Sequence, residues 1–442
     1  MKRFPFAVLG TILLLLGAHP LYSADYNIRD YGAVAKKSRL CTKALQQAID
    51  DCSAHGGGRV VVPKGKWYSG AIVLKSGVTL YLSKDATLFG STKPSDYVLN
   101  PTAKIIMTTQ LIYAGNASNI AIAGEGTIDG RGKGFTDEAC HRFMVSRPML
   151  IRFDRCRDVT VSDVTLRNAG VWMQHYYECD RLTIRNIKVW NYCNVCNDGL
   201  DITGCKDVLV SGCVIDSDDD AICLKTTSLT PCQNVRVENC TVGTHCNALK
   251  IGSETVGDFK NITFTNCRVV PSGSKKVING TRIAVAALAV ESIDGAAISD
   301  VTFSHITVEG SECPIFIRLG RRNDTYGNKL PKTLKGSIRG ITISDVTVTG
   351  AGNTGSSITG VPGQVVENVT LTNVSITHKG GAQRVASPRD NREKSEPNAM
   401  MWGMLPAKGF FVKHAKNVKM NKVKLISTVA DQRPEVVKEE VE

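Results

Sequence analysis

A short strand-like unit recurs along the chain as Asp158-Val159-Thr160-Val161, Arg181-Leu182-Thr183-Ile184, Asp207-Val208-Leu209-Val210, Asn234-Val235-Arg236-Val237 and Asn261-Ile262-Thr263-Phe264. The first aliphatic position of the unit recurs after 23, 26, 27 and 27 residues. Alternation with a period of two and enrichment in Val, Ile and Thr indicate a strand. Because this spacing is too long for hairpins, successive strands should pair in parallel. The repeat predicts an all-β chain, a single right-handed parallel β-helix.

The unit continues on both sides of this region, with further copies beginning at Asn119, Asp300, Gly340, Asn368 and Asn417. We therefore assign residues 25–430 to one solenoid domain. Before the coils, Thr42 to Cys52 places its apolar residues on one helical face, and Gly56-Gly57-Gly58 follows. We expect a short helix that caps the open end of the solenoid.

Both ends of the chain are predicted to lie outside that domain. A basic start and an apolar run from Phe4 to Gly17 are typical of a signal peptide, to which we assign residues 1–24. The run is short for a membrane span, so we expect an exported protein, periplasmic or secreted, without stable membrane insertion. An uncleaved anchor is the alternative, because the cleavage site is poorly marked. The charged residues 431–442 are expected to form a frayed tail.

The composition is that of a soluble globular protein, and the net charge bears on the kind of partner. Hydrophobic residues make up 42% of the chain and charged residues 21%, as in a soluble globular protein. A formal net charge of +13 favours an anionic partner, because the summed field concentrates polyanions; an ordinary solvated surface is the alternative. We expect a monomer whose anionic partner is not a nucleic acid.

Seven of the fifteen cysteines follow the register of the repeat. Four lie three residues before the aliphatic position of their coil and three lie five residues after it: Cys156, Cys179, Cys205 and Cys232, then Cys213, Cys240 and Cys267. Small apolar thiols suit interior columns of stacked side chains, and stacking on adjacent parallel strands suits disulfide geometry poorly. We predict that these seven are buried and reduced. Cys193 and Cys196 have metal-ligand spacing but no second pair, so no metal site is expected.

Three polar residues share one register position on successive coils. Asn197-Asp198-Gly199-Leu200, Asp220-Ala221-Ile222 and Asn247-Ala248-Leu249 align, which stacks Asp198, Asp220 and Asn247 about 4.8 Å apart. Stacked like charges destabilise a sheet, so function explains this column better than folding does. Asp219 can share the cleft with Asp220 only if the chain bends there. Acids that cap turns in a loop are the alternative.

Paired carboxyl groups of this kind suit the hydrolysis of a glycosidic bond. One protonates the leaving oxygen while another activates water, and a wide separation inverts the anomeric centre. Crowding of the carboxylates would raise one pKa and keep a proton available.

These motifs resemble the polygalacturonase family, glycoside hydrolase family 28, of the pectin-lyase-like β-helix superfamily. The similarity covers nearly the whole mature length, including Gly126-Thr127-Ile128-Asp129-Gly130, Arg147-Pro148 and Val171-Trp172-Met173-Gln174-His175. Cys196-Asn197-Asp198 is similar to the family's Asn-Thr-Asp motif, and Asp218-Asp219-Asp220 to its Gly-Asp-Asp motif. The resemblance implies that Asp219 is the general acid, that Asp198 and Asp220 hold and activate water, and that there is no metal or organic cofactor. It also implies a pectic, galacturonic-acid-containing substrate from plant cell walls.

The chain departs from the family pattern in the residues expected to bind the sugar. Asn247 occupies the position of the histidine in the family's Gly-His-Gly motif, with His245 two residues earlier. The Arg-Ile-Lys motif should fall on the coil before Val301, where Ala287 to Ser292 offers no base. Our candidate substrate-binding residues are Asn197, Asn247, His245, Lys250, His175, Lys225 and Arg318. His245 as an ordinary loop histidine and Arg318 as a surface cation are the alternatives.

Two other functions stay open from the sequence. A β-helix polysaccharide lyase or uronate epimerase would need a basic residue beside the acids, which Lys225 or Lys250 could supply. A non-catalytic carbohydrate-binding solenoid would have lost activity with the histidine. The products separate the three, because a lyase leaves unsaturated ends, a hydrolase leaves saturated reducing ends, and a binding module leaves neither.

Overall fold

The computed structural model describes residues 24–99, 109–135, 147–325, 328–331, 333–389, 392, 394–395 and 397–442. All but the last residue of the predicted signal peptide lies outside them. Each coil of the chain contributes one strand to each of three parallel sheets, called A, B and C, and a coil runs from C to A to B. The predicted parallel β-helix is confirmed, and coils pair in the register that the repeat indicated, for example Val159 with Leu182 and Leu182 with Val208.

The strands are numbered in chain order and grouped here by sheet. Sheet A contains β1 Asp25–Asn27, β2 Gly58–Val62, β5 Val78–Leu82, β9 Ser118–Gly124, β12 Arg157–Ser162, β15 Asp180–Arg185, β18 Lys206–Ser211, β21 Cys232–Glu238 and β24 Phe259–Thr265. Sheet B contains β3 Gly65–Ser69, β6 Ala86–Gly90, β10 Thr127–Asp129, β13 Thr165–Arg167, β16 Lys188–Asn191, β19 Val214–Ser217, β22 Thr241–Thr244 and β25 Arg268–Val270. Sheet C contains β4 Ile72–Val73, β8 Thr109–Gly115, β11 Met149–Asp154, β14 Gln174–Tyr177, β17 Leu200–Thr203, β20 Ile222–Thr226, β23 Asn247–Thr255, β26 Ala284–Ser292, β31 Ser356–Thr359 and β34 Val436–Val441.

Four long strands bend and continue from one sheet into the next: β27 Ala297–Leu319, β30 Ser337–Ala351, β32 Val366–Gly380 and β33 Phe410–Val429. The short β7 Val98–Leu99 pairs antiparallel with β8, and β28 Asp324–Thr325 forms a two-stranded hairpin with β29 Asn328–Lys329. Three short 3₁₀ turns cover Ile28–Tyr31, Pro94–Asp96 and Gly132–Gly134.

The polar residue that leads each repeat has a conformational role. It adopts a positive φ in every copy, between 54° and 69°, from Asn119 to Asn417. Asn, Asp and Gly tolerate this left-handed region better than other residues, which explains why they dominate the position. The sequence pattern therefore marks the bend at which each coil enters its sheet A strand.

The interior is filled by columns of apolar side chains, and the seven repeat cysteines lie in it. All seven are buried, as predicted, and each is free in the structure. At the N-terminal end, helix α1 Thr42–Ala54 buries Ala44, Leu45, Ala48, Ile49 and Cys52, as predicted for a cap. Within the described residues, no helix has the length and apolar character needed to cross a membrane.

The prediction of a frayed C-terminal tail is wrong. Strand β34 pairs in parallel with Phe410 to Ala415 of β33. The Asp431 and Arg433 side chains are fully buried and pair at 2.8 Å, and the Arg433 guanidinium also donates to the Asn353 and Leu405 carbonyl groups. The charged residues that suggested disorder instead occupy an edge strand, where Glu439 pairs with Lys413.

Candidate active site

The acidic residues meet where the chain turns from sheet B into sheet C. Leu200 pairs with Ile222, and Ile222 pairs with Leu249, so Asp198, Asp220 and Asn247 occupy one register position on three successive coils. Asp218, Asp219 and Asp220 lie between the end of β19 and the start of β20, where the chain leaves the extended conformation. The predicted stack and the predicted bend are both present.

Asp220 is held through both of its carboxylate oxygens. Oδ1 accepts hydrogen bonds from the Asn247 side-chain amide at 2.7 Å and from the Asn247 backbone N–H at 3.2 Å, and Oδ2 accepts from Lys250 Nζ at 3.0 Å. Burial acts to raise the pKa of Asp220, but the charges of Lys250 and Lys225 and these hydrogen bonds outweigh it, so the pKa is lowered. Asp220 therefore stays ionised.

The pKa of Asp219 is shifted in the opposite direction to that of its neighbour Asp220. Desolvation, followed by the charge of Asp220, raises its pKa. Its Oδ2 accepts a hydrogen bond of 2.6 Å from Asn279 Nδ2, and its Oδ1 accepts from the Asp220 backbone N–H at 2.9 Å. Asp219 is only partly buried. A neighbouring acid and base with pKa values pushed apart are what general acid–base catalysis needs.

Lys225 lies between two further carboxylates. Its Nζ is 2.8 Å from Asp201 Oδ1 and 3.3 Å from Asp198 Oδ2, and it lies 3.8 Å from the centre of the Trp172 ring. Burial raises the pKa of Asp201 to about 6, although Lys225 opposes the shift. Burial and the charge of Asp201 raise the pKa of Asp198 well above its usual range. Asp198 Oδ1 is buried and has no hydrogen-bond partner in the described part of the chain.

Asp218 fixes a loop over the site instead of facing it. Its carboxylate accepts from the backbone N–H groups of Ile278 and Asn279 at 2.9 and 2.8 Å, and from His245 Nδ1 at 2.8 Å. These bonds attach the loop of residues 271–283 to the corner, and so bring Asn279 to Asp219.

Ligand atoms of Asp219, Asp220 and Cys246 all lie within 4.8 Å of one another, which is the spacing of a possible cation site. Lys250 Nζ already places a positive charge on Asp220 there. The Lys250 ammonium therefore already balances the charge of Asp220 at this position.

Comparison with known proteins shows the family to which the chain is related. Residues 52–393 match the family Glycosyl hydrolases family 28. The chain belongs to this family. A probable polygalacturonase of Vitis vinifera is 32% identical over 213 residues, and an exo-poly-alpha-D-galacturonosidase of Dickeya chrysanthemi is 26% identical over 249 residues. These matches cover 45% and 44% of this chain and 43% and 41% of the two relatives, so the chain spans less than half the length of each of these two relatives.

Solved structures agree on the family 28 fold. An exopolygalacturonase from Thermotoga maritima superimposes with a TM-score of 0.70 at 20% identity, covering 91% of this chain and 92% of that one. A family 28 exopolygalacturonase from Yersinia enterocolitica gives a TM-score of 0.72 at 21% identity, covering 95% and 77% of the two chains. At these identities the likeness shows the shared β-helix.

Four of the substrate-binding residues predicted for this family 28 chain are buried and hydrogen-bonded to other parts of the fold. Asn197 is fully buried, with its amide donating to the Val171 carbonyl at 2.7 Å. His175 is fully buried between Arg152 and Thr203, and its burial holds its pKa well below the usual range. Register places a residue on a coil without showing which neighbours bind its polar atoms, and here those neighbours belong to the fold.

His245 and Arg318 are buried in the same way. His245 is fully buried, with Nδ1 on Asp218 and Nε2 3.3 Å from the Ser274 carbonyl oxygen. Arg318 is 2% exposed and donates to the Gly360 carbonyl at 2.9 Å, with its guanidinium 5.0 Å from the centre of the Trp402 ring. Lys225, Lys250 and Asn247 do lie in the site, where they hold carboxylates.

Sequence reasoning missed two residues on the loop of 271–283. Asn279 contacts the acid Asp219, and the exposed Arg282 follows three residues later. Arg282-Ile283 matches the first two residues of the family's Arg-Ile-Lys motif, with Ala284 in place of the lysine. The motif was expected on strand β26, whereas the pair lies in the loop immediately before it. Reading the motif across the loop would have found it.

Proposed function

We propose that this chain hydrolyses α-linked galacturonic acid polymers with inversion at the anomeric carbon. The observation that carries the proposal is the contrast between adjacent carboxyl groups. Asp220 accepts from the Lys250 ammonium and the Asn247 amide, which lower its pKa, whereas Asp219 accepts from the neutral Asn279 amide and burial raises its pKa. Membership of family 28 and the names of the curated polygalacturonases support the reaction and the substrate class. The net charge of +13 suits an anionic polymer.

In the proposed reaction, Asp219 gives its proton to the glycosidic oxygen as the bond to the anomeric carbon breaks. A water molecule attacks the same carbon from the opposite face, and Asp220 takes a proton from it. Asp198 Oδ1, which is buried and has no hydrogen-bond partner within the described chain, accepts the second hydrogen of that water and orients it. Because the pKa of Asp198 is raised, Asp220 is the stronger candidate for the base.

The two lysines act as fixed cations. Burial tends to lower the pKa of each, but Asp201 raises the pKa of Lys225 and Asp220 raises that of Lys250, leaving both well above the usual value. Ammonium groups that stay protonated cannot abstract the proton that a lyase or an epimerase must remove. This favours hydrolysis over the alternative in which Lys225 or Lys250 is the base.

Recognition of the substrate carboxylates falls to Arg282 in this proposal. Arg282 is exposed on the loop that Asp218 attaches to the acidic corner, whereas the ammonium groups of Lys225 and Lys250 already pair with acids. We also propose, on the basis of its apolar N-terminal segment, that the protein is exported to the periplasm or secreted. We propose separately that it acts as a monomer.

Product analysis on polygalacturonate tests the proposed reaction. We expect new saturated reducing ends, with the first product in the opposite anomeric configuration to the bond cleaved, measured by proton NMR before mutarotation. Ultraviolet-absorbing unsaturated ends would identify a lyase. Retention of configuration, or binding without any new ends, would contradict the proposal.

A further inference from the structure

The outer face of sheet C changes character one coil beyond the acidic corner. In register, Asn247 pairs with Ala286 and Lys250 with Ala289 on β26. Both alanines are fully buried, although they point away from the main interior, which contains Ala287 and Leu288. Something covers the face at the point where the polar column would continue.

The cover is the stretch of residues 397–407, called here the covering segment. Ala399 and Met401 form an apolar cluster, separate from the main core, with Val285, Ala286, Ala289, Cys313 and Phe316. Trp402 packs against this cluster, with its ring over the Arg318 guanidinium. The cluster therefore occupies two consecutive coils on the outer face of sheet C.

The covering segment is fixed at several points. The Leu405 backbone N–H donates to the Thr354 carbonyl at 2.9 Å, and the buried Arg433 guanidinium donates to the carbonyl groups of Leu405 and Ala407. Within the turn, the Met401 backbone N–H donates to the Asn398 carbonyl at 2.8 Å. These contacts fix the covering segment to the solenoid, so that it forms a wall over the outer face of sheet C.

We infer that the covering segment closes the substrate cleft on the side of β26, so that the enzyme cuts near a chain end and releases small products of uniform size. The wall begins one strand spacing, about 4.8 Å, beyond Asn247 and Lys250. In this arrangement a terminal sugar lies between the acids and the wall, whereas a polymer that continues past the cut would meet the wall. The inference rests on the proposed hydrolysis of polygalacturonate.

The action pattern of the native protein tests the inference directly. On long polygalacturonate we expect one small product from the earliest times, while the viscosity falls slowly relative to the appearance of reducing ends. Early release of a broad range of oligomers, with a rapid fall in viscosity, would overturn the closed cleft and leave the proposed hydrolysis standing. No reducing ends from either long or short substrates would instead refute the proposed function.

A variant of the wall supplies the second test. Replacing both Met401→Ala and Trp402→Ala should lower the wall and add longer oligomers to the early products. Met404→Ala is the matched control, because Met404 lies in the same segment but is 39% exposed and outside the apolar cluster. A folded double variant that still releases only the single small product would show that the segment does not set the action pattern. If the double variant does not fold, the product pattern of the native protein still decides.

Discussion

Two columns of polar side chains run along this solenoid, and they differ in how their charge is balanced. In the outer column at the entry to sheet A, Asn261 Nδ2 donates to Asn234 Oδ1 at 2.9 Å, and Asn234 Nδ2 donates to Asp207 Oδ1 at 2.7 Å. All three are exposed and adopt a positive φ. In the inner column, Asp198, Asp220 and Asn247 are almost completely buried.

The difference shows what each column requires of the fold. The outer side chains hydrogen-bond to one another and remain exposed to water, so stacking them has little electrostatic cost. Burying Asp198 and Asp220 on adjacent coils is unfavourable unless opposite charge is also buried. Lys225 and Lys250 supply that charge. Lys250 lowers the pKa of Asp220, whereas burial raises the pKa values of Asp198 and Asp219. The outer column serves the fold, and the inner one we assign to chemistry.

The largest expected effect is loss of the proposed acid Asp219, which lies beside the inner column. Asp219→Asn keeps the side-chain shape and an acceptor for Asn279, but it has no acidic proton to give to the leaving oxygen. We expect kcat on polygalacturonate to fall on the order of 10²-fold or more, with thermal stability nearly unchanged. Glu309→Gln, which alters an exposed acid paired with Arg268, is the control. Retention of most of the activity by Asp219→Asn would exclude it as the acid.

The two columns were not equally predictable from the sequence. Periodicity found both, because a left-handed bend once per coil restricts the leading residue to types such as Asn234 and Asp207, and because Asp198 and Asp220 keep the same offset from their aliphatic neighbours. Side-chain partners were not predictable in this way. The repeat placed His175 and His245 on the coils where the structure has them. It did not show that both side chains are fully buried and hydrogen-bonded to other protein groups. Asn279 and the covering segment lie in loops whose positions depend on tertiary contacts distant in sequence.

The next effect concerns pH and the cation beside Asp220. Lys250→Met removes the charge that contributes most to lowering the pKa of Asp220, so that pKa should rise. Asp220 must be ionised to act as the base, and activity is lost as pH falls through its pKa. The acidic limb of kcat/KM should therefore move to higher pH in the variant. Lys260→Met, an exposed site on sheet A, should leave the limb in place. An unmoved limb in Lys250→Met would contradict the role of this lysine.

A smaller loss is expected at Asn247, where the structure refines the role assigned from sequence. The side-chain amide donates to Asp220 Oδ1, so it positions the base, whereas the sequence suggested that it touches the sugar. Asn247→Ala should lower kcat/KM, with a loss of transition-state stabilisation of about 1–3 kcal/mol. This is the cost of leaving a buried acceptor without its donor. Combined with Lys250→Met, the effects should not add, because both residues hold the same carboxylate. Strict additivity, or lowered stability with unchanged kinetics, would argue for a purely structural residue.

The smallest effect should come from the outer column, and it should appear in stability alone. Asn234 has a φ of 55°, where an alanine is strained by about 1–2 kcal/mol and a glycine is not. Both Asn234→Ala and Asn234→Gly remove the hydrogen bonds to Asp207 and Asn261, so the difference between the two variants isolates the backbone term from the side-chain ladder. Denaturant unfolding should rank Asn234→Ala below Asn234→Gly, and kcat/KM should match the native value in both. If alanine were tolerated as well as glycine, the left-handed bend would not be what selects Asn at the head of each repeat, and the periodicity from which the fold was inferred would need another physical cause.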